Sequence, residues 1–173
     1  GISEKVDYKN IEGKTVIKLP LNFTQKENIV LFEGIGYICK KTRAKPNKKE
    51  LIKLSEKYKL PAFGVILYRA NKSTPYVYVT ATDSLIAETA CGSGSIALSI
   101  VTGFRNILQP SGGIISVKRS GNKFQIGAEV EEIDNNYDFF GTVTFLKKYS
   151  KRDINGKSIE LPSMMYNRVS ELF

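Results

Sequence analysis

The stretch AETACGSGSIALSIVTGF, residues 87–104, places a cysteine before Gly-Ser-Gly and then continues into an apolar segment. The segment from Ser95 to Leu108 is apolar on nearly all sides, whereas a helix at a protein surface shows one polar face. We therefore predict a helix over about residues 95–108 that is enclosed by strands. Cys91, Gly92 and Ser93 then lie at its N-terminal end.

The start of this helix offers two kinds of chemistry. The first N–H groups of a helix have no partner within it, so those of Gly92 and Ser93 are candidates for holding a carboxylate or phosphate. The same field favours a thiolate and predicts a lowered pKa for Cys91. A buried structural cysteine explains the residues equally well, because free cysteine is among the most buried residue types.

Strands predominate in the rest of the chain. Runs rich in β-branched and aromatic residues predict strands at 15–19, 28–38, 63–68, 76–80, 114–118, 123–132 and 138–147. The second of these is interrupted by Gly34 and Gly36, which suggests a bend or a close backbone approach there. Asn47 is placed to cap a second helix that ends at Tyr58. The sequence thus predicts an α+β fold in which a mostly antiparallel, curved sheet or barrel wraps around the central helix. Residues 151–173 are interpreted as a C-terminal extension with a helix from Ser163 to Leu172.

Composition excludes several classes of site. The chain has 173 residues, two cysteines and no histidine. A Cys-His dyad within the chain is therefore excluded, and two cysteines cannot form a four-ligand zinc site alone. No apolar run approaches the roughly 20 residues of a membrane span. We expect no metal, no membrane contact, and reduced thiols in a cytoplasmic protein.

The formal charge of +9 raises the question of a polyanionic partner. Much of this charge lies between Lys40 and Lys49, a segment without aromatic residues for stacking on bases. We interpret it as a solvated basic loop and expect no nucleic-acid partner. A patch for a polyanion or an acidic partner is the alternative.

Two motifs carry a resemblance to a known family. ETACGSGSIA at 88–97, followed by QPSGGIISV at 109–117, resembles the C-terminal half of the diaminopimelate epimerase family of cofactor-independent amino-acid racemases. SLIAETACGSG at 84–94 is more similar to the branch that contains the histidine racemases of opine-type metallophore pathways. The resemblance runs from about Asp7 to Glu132. It implies two similar lobes around an active-site cleft, with residues 1–150 as the second, C-terminal lobe including a connecting strand.

The resemblance also implies a mechanism and a set of roles. One lobe's cysteine removes the α-proton as a thiolate, and the other lobe's cysteine protonates the opposite face, without pyridoxal phosphate or another cofactor. Cys91 would be one of these acid/base groups, and Gly92 and Ser93 would hold the substrate carboxylate. Glu88 would bind the substrate ammonium or orient the motif; an exposed charge beside the turn is the alternative.

The sequence departs from the family pattern in two places. The Cys-Gly-Asn-Gly motif of the first lobe has no counterpart, and Cys39 is interpreted as structural. Thr82 and Asp83 stand where the diaminopimelate enzymes have an acidic residue and an arginine, so diaminopimelate is not a secure substrate. We expect the first lobe to be missing from this chain and the chain to be inactive without it. A homodimer is one possible assembly.

Two other functions remain open at this point. A related two-lobed isomerase of a small carboxylic acid would use the same anion-binding helix without needing two thiols. A non-catalytic domain would bind small carboxylates or another protein. The sequence does not identify which amino acid or carboxylate is the small-molecule partner.

Overall fold

A computed structural model describes residues 8–121 and 123–130. They form two α-helices, α1 (Lys48–Tyr58) and α2 (Gly92–Thr102), and a set of short strands. The strands are β1 (Tyr8–Ile11), β2 (Lys14–Pro20), β3 (Phe23–Lys26), β4 (Ile29–Phe32), β5 (Ile35–Lys40), β6 (Ala62–Arg69), β7 (Lys72–Val79), β8 (Ser84–Ala87), β9 (Asn106–Leu108), β10 (Ile114–Ser120) and β11 (Lys123–Ala128).

These strands make one mixed sheet in the order β1-β2-β11-β10-β9-β7-β6-β5-β4-β3, with β8 paired to β7 outside this path. Neighbouring strands are antiparallel except for the parallel pairs β5–β6 and β7–β9. The predicted α+β class with a mostly antiparallel sheet is confirmed. The sheet is not closed, because β1 and β3 lie at opposite ends of the strand order.

Alternation along the central strands separates two apolar clusters. In β5, Tyr37 and Cys39 pack into the cluster around α2, whereas Ile38 belongs to the cluster beside α1. In β6, Ile66 faces the α2 cluster and its neighbours Val65 and Leu67 face the other. Successive side chains of a strand point to opposite faces, so α1 and α2 cover opposite faces of the same strands.

Helix α2 is enclosed by the sheet, as its all-round apolarity predicts. Ile96, Ala97 and Leu98 are at most 1% exposed, and the helix packs against β4, β5, β6, β10 and β11. Its predicted end at residue 108 is wrong. Gly103 adopts a left-handed conformation, φ 75°, and its N–H donates to the carbonyl of Ser99 at 2.8 Å. Such a C-cap ends a helix, and residues 106–108 form β9 instead.

Helix α1 begins where the sequence predicts. The Asn47 side chain accepts a hydrogen bond from the Lys49 N–H at 3.1 Å, and the helix ends at Tyr58. The interruption predicted within 28–38 is confirmed, since this stretch forms two strands, β4 and β5, and Gly34 turns the chain between them with a φ of 83°. Only glycine adopts that conformation without a steric cost.

Several predictions fall on other parts of the chain. The strand at 138–147, the boundary at residue 150, the extension 151–173 and the helix 163–172 lie outside the described residues. In the part that is described, neither helix has the length and apolarity that crossing a membrane requires.

Candidate active site

Cys91 occupies the N-cap position of α2. Its backbone is extended, φ −140° and ψ 107°, and its Sγ accepts a hydrogen bond from the Gly94 N–H at 3.2 Å. An N-cap side chain usually accepts this hydrogen bond through an oxygen. Here the sulfur of Cys91 is the acceptor and therefore lies at the start of the helix. A Cβ on Gly94 would lie 2.8 Å from this sulfur and 2.6 Å from Ile66 Cδ1. The thiol therefore packs against Gly94, in space that a side chain at residue 94 would need.

Two backbone donors lie beside the thiol. The N–H groups of Gly92 and Ser93 donate to no acceptor among the described residues, because they belong to the first turn of the helix. Both residues are half-buried. The helix start thus combines a thiol with two amides that an anion can bind.

Tyr37 reaches this helix start from β5. Its Oη lies 3.5 Å from Cys91 Sγ and 2.7 Å from Ser93 Oγ. The side chain is only 1% exposed, and its ring packs edge-on against Phe32. Burial, followed by the nearby Cys91, holds the pKa of Tyr37 well above its usual range. The phenol is therefore neutral and keeps a hydrogen to donate.

Gln109, the residue that follows β9, fixes the backbone of Cys91 at the start of α2. Its Oε1 accepts from the Cys91 N–H at 3.0 Å, and its Nε2 donates to Ser95 Oγ at 3.0 Å and to the Ile107 carbonyl at 3.1 Å. Ser95 Oγ in turn donates to the Cys91 carbonyl at 2.6 Å. Gln109 is 2% exposed, so both backbone polar groups of Cys91 are held by buried partners.

Glu88 lies three residues before the thiol on the segment between β8 and α2. Its backbone N–H donates to the Pro75 carbonyl at 3.0 Å, which fixes the segment to β7. Its Oε2 is buried and has no hydrogen-bond partner among the described residues. A buried carboxylate oxygen without a donor is costly, so this oxygen is available to a donor that enters the site.

The protonation of Cys91 reflects a balance of opposing contacts. Burial, followed by the neighbouring Glu88 carboxylate, raises the pKa of the Cys91 thiol to about 11. The Tyr37 hydroxyl and the Gly94 N–H lower this pKa by less. The lowered pKa that the sequence predicts for Cys91 is therefore wrong, because burial outweighs the donors at the helix start, and Cys91 is a neutral thiol.

Cys39 provides a contrast to Cys91. It is 2% exposed, and burial raises its pKa to about 12. Its backbone is tied to Asn28, whose carbonyl accepts from the Cys39 N–H at 2.8 Å and whose side-chain amide donates to the Cys39 carbonyl at 3.0 Å. These contacts fit the structural role that the sequence predicts for this cysteine.

Two ion pairs lie near α1. Lys40 Nζ lies 2.6 Å from Glu50 Oε2, and Lys48 Nζ lies 2.9 Å from Asp83 Oδ1. The same Asp83 oxygen accepts from Tyr78 Oη at 3.2 Å. Asp83 therefore interacts with the α1 side of the sheet rather than with Cys91. Within residues 8–121 and 123–130, no three cysteine or carboxylate side chains are grouped to hold a metal ion.

Of the residues that the sequence singles out, the structure brings Cys91, Gly92 and Ser93 together at the start of α2 and places Glu88 beside the thiol. Sequence reasoning missed two residues that contact Cys91, Tyr37 and Gln109. Gln109 had a usable signal, since it opens the QPSGG motif; Tyr37 had none, because 54 positions separate it from Cys91.

A family model and a solved structure match this chain. The profile of the histidine racemase CntK N-terminal domain matches residues 10–134. A search of curated proteins found no match. The 1.76 Å crystal structure of a protein assigned to phenazine biosynthesis PhzC/PhzF, from Clostridium difficile (strain 630), shares 14% sequence identity at a TM-score of 0.46. The match covers 74% of this chain and 61% of that one.

The family match also bears on the order of the lobes. Residues 10–134 match an N-terminal domain, whereas the motif resemblance places residues 1–150 in a C-terminal lobe. The matched residues include the whole of α2 and the QPSGG motif, and they make up more than half of the sequence. The chain belongs to the family of histidine racemase CntK N-terminal domains.

Proposed function

We propose that this chain is one lobe of an amino-acid racemase in which Cys91 is one of two thiols that move the α-proton. The observation that carries the proposal is the start of α2. There a thiol held by the Gly94 N–H lies beside the amides of Gly92 and Ser93, which have no acceptor among the described residues. A carboxylate bound to these amides would place the adjacent α-carbon next to the sulfur, as proton transfer requires.

The proposed reaction needs two sulfurs on opposite faces of the substrate. A thiolate takes the α-proton, so the C–H bond breaks, an S–H bond forms, and its electron pair remains on the α-carbon. The second thiol then gives its proton to the other face of that carbon and becomes a thiolate. No net proton or electron is gained, and the enzyme is left with the two protonation states exchanged.

The raised pKa of Cys91 supports a role as the proton donor in one direction of the reaction. Because burial and Glu88 raise its pKa to about 11, Cys91 starts as the proton donor at neutral pH. The starting thiolate must then come from another lobe. Since the matched family is an N-terminal domain, we propose that this second lobe follows the present one in the complete enzyme. A single lobe reaches one face only, so this chain alone would not racemise its substrate.

The substrate class is an α-amino acid, and the family name makes histidine the first to test. The buried Glu88 Oε2, which has no donor among the described residues, would accept a hydrogen bond from the substrate ammonium. The reaction proposed here needs no pyridoxal phosphate, because the thiols perform both proton transfers.

The test follows α-proton exchange in deuterium oxide. This chain is assayed alone and together with the C-terminal domain of a histidine racemase whose N-terminal domain belongs to this family, with L-histidine and then other L-amino acids as substrates. We expect racemisation only with both lobes, with deuterium entering the product enantiomer before the recovered substrate. Replacing Cys91 by serine should lower the rate by a factor on the order of 10² to 10⁴. Cys39→Ala, the matched control, should retain most of the rate.

Three results would contradict parts of the proposal. Racemisation by this chain alone would refute the one-lobe mechanism. Full activity of Cys91→Ala on a small carboxylic acid would favour an isomerase that relies on a carboxylate instead of two thiols. Binding of carboxylates that persists after alkylation of Cys91, without any α-proton exchange, would favour a non-catalytic domain.

A further inference from the structure

The contact between Tyr37 and Cys91 raises a question about what supports the sulfur after it loses its proton. Tyr37 Oη lies 3.5 Å from Cys91 Sγ, within reach of an O–H···S hydrogen bond. Both side chains are buried, with exposed fractions of 1% and 6%. Solvent therefore provides little stabilisation for a negative sulfur here, and protein donors must supply it.

Three hydrogen-bonding groups meet at this point. Besides its contact with the sulfur, Tyr37 Oη lies 2.7 Å from Ser93 Oγ, and Ser93 Oγ lies 3.9 Å from the sulfur. Each hydroxyl has one hydrogen to donate. While Cys91 is a thiol, the Tyr37 hydrogen can point to either neighbour. A thiolate only accepts, so the Tyr37 hydrogen then turns to the sulfur and the Ser93 hydrogen to Tyr37.

We propose that Tyr37 is a positioning residue for Cys91, whose hydroxyl donates to the sulfur and stabilises the thiolate left when Cys91 gives its proton to the substrate carbon. The inference rests on the proposed function of Cys91. In this step the S–H bond breaks, a C–H bond forms, and the electron pair stays on sulfur. The hydrogens of Tyr37 and Ser93 remain on their own oxygens.

The two titratable groups that act on the thiol oppose each other. Glu88, on the segment before α2, disfavours a negative sulfur, whereas Tyr37, on β5, favours it. Tyr37 remains neutral because burial and the Cys91 charge hold its pKa above the usual range. The phenol therefore stabilises the thiolate form of Cys91 by a hydrogen bond and keeps its own proton.

The test is a titration of Cys91 observed directly. The chain is prepared with ¹³Cβ-labelled cysteine in a Cys39→Ala background, so that its single cysteine signal reports Cys91 as pH rises. Tyr37→Phe removes the hydroxyl and keeps the ring. We expect the pKa of Cys91 to rise by about one unit, which corresponds to an approximately tenfold smaller thiolate fraction at a given pH below the pKa.

A matched control separates this effect from a general loss of packing. Tyr68 is half-buried against the same core, and its ring packs edge-on against Phe104. Tyr68→Phe should leave the Cys91 titration unchanged. Equal titrations of the Tyr37→Phe and Tyr68→Phe chains would overturn the proposal, whether or not the complete enzyme depends on Cys91.

A second measurement applies if Tyr37→Phe does not fold. Placing 3-fluorotyrosine at position 37 keeps the ring and hydroxyl but makes the phenol a stronger donor, so the pKa of Cys91 should fall. An unchanged or raised pKa would overturn the inference. In the complete enzyme, Tyr37→Phe should lower kcat more than it raises KM, because the hydrogen bond strengthens during proton transfer rather than on substrate binding.

Discussion

Gly94 lies so close to the Cys91 sulfur that a single methyl group at residue 94 tests the packing of the site. A Cβ at this position would lie 2.6 Å from Ile66 Cδ1 and 2.8 Å from Cys91 Sγ, and Ile66 is only 1% exposed. We expect Gly94→Ala to lower the free energy of unfolding by about 1–3 kcal/mol, measured by urea denaturation.

Gly92→Ala is the matched control for this change. Its Cβ would meet only Ile126 Cδ1, at an ordinary 3.5 Å. Alanine favours a helix over glycine by up to about 1 kcal/mol, and both positions lie in the first turn of α2. Gly92→Ala should therefore be neutral or stabilising, and equal losses in the two variants would show that the close approach at Gly94 is relieved elsewhere.

Gln109 can be tested by a change of one side-chain group. Gln109→Glu retains an oxygen for the Cys91 N–H but loses the amide donor to Ser95 Oγ and buries a charge. The introduced carboxyl should have a pKa above its unfolded value of about 4.3, so its cost appears as pH rises past that value. We expect the variant to lose about 1–3 kcal/mol at pH 7 and less at pH 4, by urea denaturation.

The exposed Gln25 supplies the comparison, since its amide donates only to the nearby Glu27 carbonyl. Gln25→Glu should change the free energy of unfolding by no more than about 0.5 kcal/mol at either pH. A Gln109→Glu chain that is as stable as the parent at pH 7 would contradict the view that Gln109 is a buried clamp on Cys91.

At the level of the elements, Gly103 determines where α2 ends. Its φ of 75° suits glycine and is tolerated by asparagine, whereas alanine is strained there. We expect Gly103→Ala to lower the thermal midpoint by several degrees, corresponding to about 1 kcal/mol. Gly103→Asn should lose distinctly less. Equal midpoints for Gly103→Ala and the parent would mean that the chain leaves the helix by another route.

The sequence predicts the bounds of α1 and the enclosure of α2, but not the bounds of α2, which begins at Gly92 rather than at the predicted residue 95. The cap of α1 at Asn47 and the enclosed character of α2 follow from local chemistry and from periodicity. The apolar residue Ile107 extended the predicted helix, although it is a buried residue of β9. Apolarity alone does not distinguish an enclosed helix from a central strand, and here the left-handed Gly103 separates them.

The candidate site could be predicted only in part for the same reason. Cys91, Gly92 and Ser93 are adjacent in sequence, so a local pattern identifies them. Tyr37 reaches the thiol because β5 lies under α2, a contact that depends on the strand order. The pKa direction of Cys91 also depends on burial, which the local pattern does not include, and burial raises this pKa by more than the Gly94 N–H lowers it.

For the whole molecule, buried ionisable groups predict how stability depends on pH. Burial raises the pKa of Cys39 to about 12 and of Cys91 to about 11. In the unfolded chain these thiols ionise near pH 8.5, so the unfolded state loses protons first and stability falls as pH rises above that value. Urea denaturation at pH 8 and pH 10 should show this loss.

The chain with both cysteines replaced by alanine is the comparison for the alkaline loss. It should be less stable at pH 8 because two buried side chains are shortened, but its decline from pH 8 to pH 10 should be smaller than that of the parent. A decline as steep as that of the parent would mean that other groups, such as Tyr37, account for the whole effect.

The clamp formed by Gln109 also has a consequence for the order of events during folding. Gln109 lies 18 residues after Cys91, and the loop between them contains the whole of α2 and β9. The backbone N–H of Cys91 meets this acceptor only after the chain has returned along β9 to the start of the helix. A chain still being synthesised therefore lacks this contact until Gln109 has been added, so the start of α2 is fixed late in its assembly.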